Sequence, residues 1–211
     1  MLASSVVHAQ LDGTDRAASQ PAGGAGPAAV APSGASPLLR VYLDANRRVL
    51  AGQSSLASAL GLAGAAGQAR QAGSVLAGGA GALTPAALSQ VGGAQQSVAQ
   101  ALAQAFASGG AGLAPIDPAG FSEGLVSLGQ GVVEYAQLRS GLDHPDGANP
   151  PPPSSQTRLD PGNPSAASFI ARNARNELLS IGSTLRLAVR FAVSHGMAVP
   201  PVATSALELL R

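Results

Sequence analysis

Four dipeptides punctuate this chain: Ser36-Pro37, Thr84-Pro85, Asp117-Pro118 and Asn163-Pro164. Each places a side chain that can accept from the free amides of a helix's first turn directly before a proline. Proline at the first helical position already has a suitable φ, and it lacks a donor that would have no partner there. The pairs therefore read as helix starts rather than interruptions. That reading requires an apolar stripe of helical period after each one.

Such a stripe follows every pair. After Ser36 come Leu38, Val41, Ala45, Val49, Leu56 and Leu60; after Thr84 come Leu88, Val91, Val98, Leu102 and Phe106, with Gln95 as a polar break. After Asp117 come Phe121, Leu125, Leu128, Val132, Tyr135, Leu138 and Leu142. After Asn163 come Ile170, Ala174, Leu178, Ile181, Leu185, Ala188 and Ala192. Intervals of three, four and seven residues belong to one face of a helix, not to the alternation of a strand. The expected fold class is all-α, a small up-and-down helical bundle of about four main amphipathic helices with shorter helical pieces. His195-Gly196 supplies the stop of the fourth helix, a last-turn histidine followed by a residue suited to the left-handed conformation.

Two stretches are less regular. Gly61 to Leu83 is glycine-rich, and each helix-interior glycine costs roughly 1 kcal/mol relative to alanine. It reads as two broken helical pieces packed closely through glycine. After Met197, "AVPPVATSALELLR" reads as an extended turn and a short closing helix.

The flanks have a different character. Residues 10–36 are small, polar or helix-breaking and read as a flexible Ala/Gly/Pro-rich linker. Residues 1–9 carry a short apolar run ending in Val7-His8-Ala9, the pattern left at the end of a secretory signal. This makes the chain an expected exported protein of the bacterial envelope, periplasmic in location; without that signal the expectation is cytoplasmic. The bundle domain spans 37–211, interrupted by a Pro-rich loop at 143–163 whose four successive prolines favour extended polyproline structure.

Composition removes several chemistries. All 12 basic side chains are arginine, and there is no cysteine. Schiff-base and phosphate-loop lysines, thiolate nucleophiles, disulfides and zinc–thiolate sites are therefore impossible. A net charge of +1 gives no global field that would mark nucleic acid as a partner. Of the histidines, His8 lies in the signal-like start, His144 in a turn and His195 at a helix end. Glu123, Glu134, Glu177 and Glu208 are thinly spread, and no Glu-x-x-His pair exists. No catalytic, metal or cofactor site is expected.

One feature points to binding. At about 100° per residue, Arg172, Arg175, Arg186 and Arg190 share a sector roughly 60° wide, opposite the apolar stripe of their helix. Leu179 lies near the same sector, and Glu177 is the one acidic residue of the helix. Such a face suits an envelope protein partner or an anionic lipid surface. The expected function is a non-catalytic envelope binding protein. The alternative is a membrane-active protein whose charge-free hairpin, 71–116, inserts into lipid.

Overall fold

The computed structural model describes residues 37–79, 84–110, 115–142 and 164–211. The signal-like start, the linker 10–36, His144 and the Pro-rich loop 143–163 lie outside the described residues, as do Ser36 and Asn163. The described residues form six helices and no strand. They are α1 (Pro37–Ala59), α2 (Ala63–Ala77), α3 (Pro85–Ala107), α4 (Pro118–Leu142), α5 (Pro164–Ser194) and α6 (Pro201–Glu208).

The prolines of all four dipeptides stand first in a helix. Where the preceding residue is described, its side chain acts as expected. Thr84 Oγ1 accepts from the Ala87 amide at 3.1 Å, and Asp117 Oδ1 accepts from the Ala119 amide at 3.0 Å. Asp117 also donates its own amide to the Ala59 carbonyl, fixing the entry of α4 beside the end of α1. The stop at His195-Gly196 forms as well. Gly196 has φ +67°, and the Met197 amide returns to the Ala192 carbonyl at 2.9 Å. This closes a Schellman turn.

Successive helices run up and down. α2 returns along α1, with Ser54 Oγ donating to the Ala66 carbonyl and Arg47 donating to the Leu76 carbonyl. α4 is antiparallel to α1, since Gly124 faces Leu56 while Gly131 faces Val49. α5 runs with α1: Glu177 meets Tyr42, and further along Phe191 meets Phe121. The short α6 then turns back, with Ala203 against Gly129 and Leu210 against Gly182.

α1 is the central element, in contact with α2, α3, α4 and α5. This corrects the stripe read for it. Ala45, Val49, Leu56 and Leu60 are buried, but Leu38 and Val41 are only half-buried, while Leu39, Tyr42, Leu43, Asn46 and Leu50 are buried. A helix covered on most sides has no single apolar stripe to display. The other stripes hold at every position whose burial is described, and Gln95 is buried among its apolar neighbours.

The glycine-rich segment is also corrected. Residues 63–77 form one helix, and Gly64, Gly67 and Gly73 face open space rather than close contacts. The helix persists because Ala66, Ala69, Ala72 and Leu76 are buried, and tertiary burial outweighs weak propensity. Close approach through glycine occurs elsewhere, between α1 and α4. A Cβ built on Gly52 would stand 2.7 Å from the Leu128 amide nitrogen, and one on Gly124 would stand 2.9 Å from the Leu56 nitrogen. Both contacts involve backbone, which cannot swing aside.

At one end of this seam Phe106, Phe121 and Phe191 cluster, with ring centroids 5.2–6.2 Å apart. They supply the large apolar rings of a core otherwise rich in alanine and leucine.

Alanine substitutions should separate the two kinds of glycine. Gly52→Ala and Gly124→Ala should each destabilise by about 1–3 kcal/mol through overpacking. Gly67→Ala and Gly93→Ala, where a Cβ meets nothing within 4 Å, should stabilise by about 0.5–1 kcal/mol. Denaturant midpoints at unchanged slope measure both, and a common sign for all four would refute the backbone-limited seam.

Candidate functional site

At the opposite end of the seam from the phenylalanines, α5 turns Glu177 into the bundle. Tyr42 of α1 donates its hydroxyl to Glu177 Oε1 at 3.1 Å, and Tyr135 of α4 donates to Oε2 at 2.5 Å. These are the chain's only two tyrosines. Their rings meet edge to face, 5.9 Å apart at 84°. Each carboxylate oxygen thus has a phenolic donor from a different helix, which ties α1, α4 and α5 at one point.

The polar core continues into α3. Asn46 Nδ2 donates to the Tyr42 carbonyl at 2.8 Å, while Asn46 Oδ1 accepts from Gln95 Nε2 at 2.9 Å. Gln53 Nε2 donates to the Gln95 carbonyl at 3.2 Å. A cleft of about 280 Å³ opens beside these groups, between α1, α3 and α5, lined by Gln53, Gly92, Gln95, Asn176, Glu177 and Ser180.

Burial sets the electrostatics. It pushes the Glu177 carboxyl above its usual range, because loss of hydration outweighs the hydrogen bonds from Tyr135 and Tyr42 that favour the charged form. Both phenols are raised well above the usual tyrosine range, first by burial and then by the neighbouring Glu177 charge. The two hydroxyls are therefore held as donors. Such an arrangement partly offsets the desolvation of the half-buried carboxylate and offers no activated tyrosine nucleophile.

The sequence reading missed this cluster, although one signal for it was present. By helical period Glu177 lies within about 20° of Ile170 and Ala188. It therefore sits at the margin of the buried stripe, not on the arginine face.

The arginine face itself is exposed. Arg172, Arg175, Arg186 and Arg190 all point outward from α5, and none forms an ion pair with another described residue. Leu179, 69% exposed, and Val193, 65% exposed, stand among them. With Glu177 turned inward, no carboxylate of α5 lies within this stripe, which runs about 32 Å from Arg172 to Val193 at about 1.5 Å per residue.

His195 has a structural setting. Its ring stacks on Phe191 with centroids 4.0 Å apart, Nδ1 lies 2.9 Å from the Phe191 carbonyl, and Nε2 lies 3.3 Å from the Gly109 carbonyl. It joins the ends of α3 and α5. Among the described residues no group of three or more His, Asp and Glu is placed to hold a metal ion. Glu134 pairs with Arg48 across the α1–α4 seam. Comparison with protein family models, with curated protein sequences and with solved structures finds no match.

Glu177 should impose a recognisable pH dependence on stability. Its folded-state pKa lies above the unfolded value, so the folded form holds the extra proton, and stability falls as pH rises between the two values. Relative to Glu177→Gln, the native chain should gain stability on acidification from neutral pH towards the usual carboxylate range, then stay level below it. Denaturant titrations of both proteins across that range test this; a constant or oppositely sloped difference would contradict it.

Proposed function

We propose that this chain is a non-catalytic binding protein of the bacterial envelope, exported to the periplasm, whose α5 face docks reversibly on an anionic lipid surface. The observation that carries the reading is the outward stripe of Arg172, Arg175, Arg186 and Arg190, with Leu179 and Val193 exposed among them and the helix's one carboxylate turned inward. Guanidinium groups match phosphate oxygens in bidentate geometry. Each basic side chain near an anionic leaflet contributes about 1 kcal/mol. Four would give about 4 kcal/mol, equivalent to a dissociation constant near 1 mM. The two apolar side chains add to that where they enter the interface. The result is peripheral, salt-sensitive attachment rather than anchoring.

The alternative, insertion of 71–116 as a hairpin, asks more of the molecule. Val91, Val98, Leu102 and Phe106 are all buried, so insertion would first have to open the bundle. Among the described residues no helix is long and apolar enough to cross a membrane.

Co-sedimentation with vesicles measures the proposal directly. The chain should bind vesicles containing phosphatidylglycerol and not pure phosphatidylcholine, and raised salt should weaken binding. The double reversal Arg186→Glu/Arg190→Glu should reduce binding by more than tenfold, as loss of two attractions and gain of two repulsions requires, at about 1 kcal/mol each. Undiminished binding by that variant, or none by the native chain, would defeat the lipid reading. Capture of a protein partner through the same face, without lipid binding, would assign the stripe to the partner instead.

A further inference from the structure

A second basic feature lies away from α5, in the groove between α1 and α2. It is an open groove of about 400 Å³, within the size range of small-molecule sites. It is lined by Arg47, Leu50, Ala51, Ser54, Ser55, Ala69, Arg70 and Gly73, of which Leu50 and Ala69 are themselves buried while Ala51 and Arg70 are exposed. The two arginines differ in state. Arg47 is held in place, donating to Asp44 at 3.0 Å and to the Leu76 carbonyl at 2.7 Å, so much of its charge is matched. Arg70 reaches Ser54 Oγ at 3.5 Å and pairs with no carboxylate among the described residues. Ser54 in turn donates to the Ala66 carbonyl, which leaves its oxygen oriented as an acceptor for Arg70. The groove therefore combines an available guanidinium fork, a fixed second cation and a small partly apolar lining.

We infer that the α1–α2 groove binds a small organic anion with a carboxylate head and a short aliphatic body. The fork of Arg70 takes the two carboxylate oxygens, a geometry that planar guanidinium matches and a neutral head group does not. The Ser55 hydroxyl, half-buried in the same wall, is a further donor within the groove. The aliphatic body lies along the exposed Ala51, the Arg47 stem and the low backbone at Gly73. Gly73 keeps the α2 wall low, because a Cβ there would stand in open space.

The test is a titration of the full chain with sodium hexanoate, followed by amide chemical shifts. Hexanol, acetate and inorganic phosphate are the comparison probes. Hexanoate should give saturable shifts confined to residues 47–55 and 69–73, and each comparison probe should bind at least tenfold more weakly. Arg70→Gln should weaken hexanoate at least tenfold. Gly73→Leu should block the groove while keeping or raising the melting temperature, since leucine is the better helix former. Blocked binding in a fully folded Gly73→Leu protein separates occlusion from misfolding. Hexanol binding as tightly as hexanoate, shifts centred on α5, absence of saturable shifts, or unchanged affinity in either variant would each overturn the inference. Phosphate competing at equal strength would overturn the aliphatic part of the assignment.

Discussion

The α1–α4 seam is where backbone meets backbone, and the rest of the bundle is arranged around it. Gly52 and Gly124 sit where an added Cβ would strike main-chain atoms of the facing helix, and Gly131 lies against Val49 in the same line. Close axes give a narrow central layer in which alanine and leucine fill the remaining space. α1 then becomes a shared wall, with α2, α3 and α5 also packed on it. A bundle with few aromatic side chains gains little area per residue, so tight axial approach partly replaces side-chain bulk as the source of contact.

A central helix with neighbours on most sides has a further consequence. A polar residue on α1 that does not face solvent gains from a partner inside, because an unpaired buried polar group costs about 1–3 kcal/mol. Asn46 and Gln53 are 1% exposed, and both reach α3 at Gln95, one through the side chain and the other through the carbonyl, although the buried Gln53 Oε1 has no partner among the described residues. Tyr42 reaches α5 at Glu177. Such bonds are directional where leucine contacts are not. They fix the rotation of α3 and α5 about their axes relative to α1, which apolar packing of small residues specifies only weakly.

Much of the fold was legible because its signals are local. A capping side chain followed by proline declares a helix start whatever surrounds it, and a helix with one buried face writes its period into the sequence. α3, α4 and α5 obeyed that logic. α1 did not, because the phase of a helix covered on most sides depends on which neighbours arrive. Its Leu38 and Val41 are half-buried for that reason. The glycines misled for a related cause: whether a glycine marks close approach depends on the facing helix, so Gly52 and Gly64 look alike in sequence and differ entirely in surroundings. The four arginines were legible from period alone. The carboxylate cluster was not, since it unites residues 135 positions apart.

The inward-turned, half-buried carboxylate and the basic face are two consequences of one rotation. α5 carries a single acidic residue, and the angle of the helix decides whether that charge neutralises the outer stripe or enters the core. Tyr42 and Tyr135 favour the inward setting, because each supplies a hydroxyl to Glu177 that water would otherwise provide. The same rotation carries Arg172, Arg175, Arg186 and Arg190 outward, with no carboxylate of their own helix among them. Segregating the charges in this way lowers stability, since burial holds the Glu177 proton affinity above its ordinary range. A surface ion pair on α5 would have been worth about 0.3–0.5 kcal/mol, so little is lost by forgoing one. What the arrangement preserves is an undivided basic stripe, and the phenolic pair in the core is the part of the sequence that holds it in place.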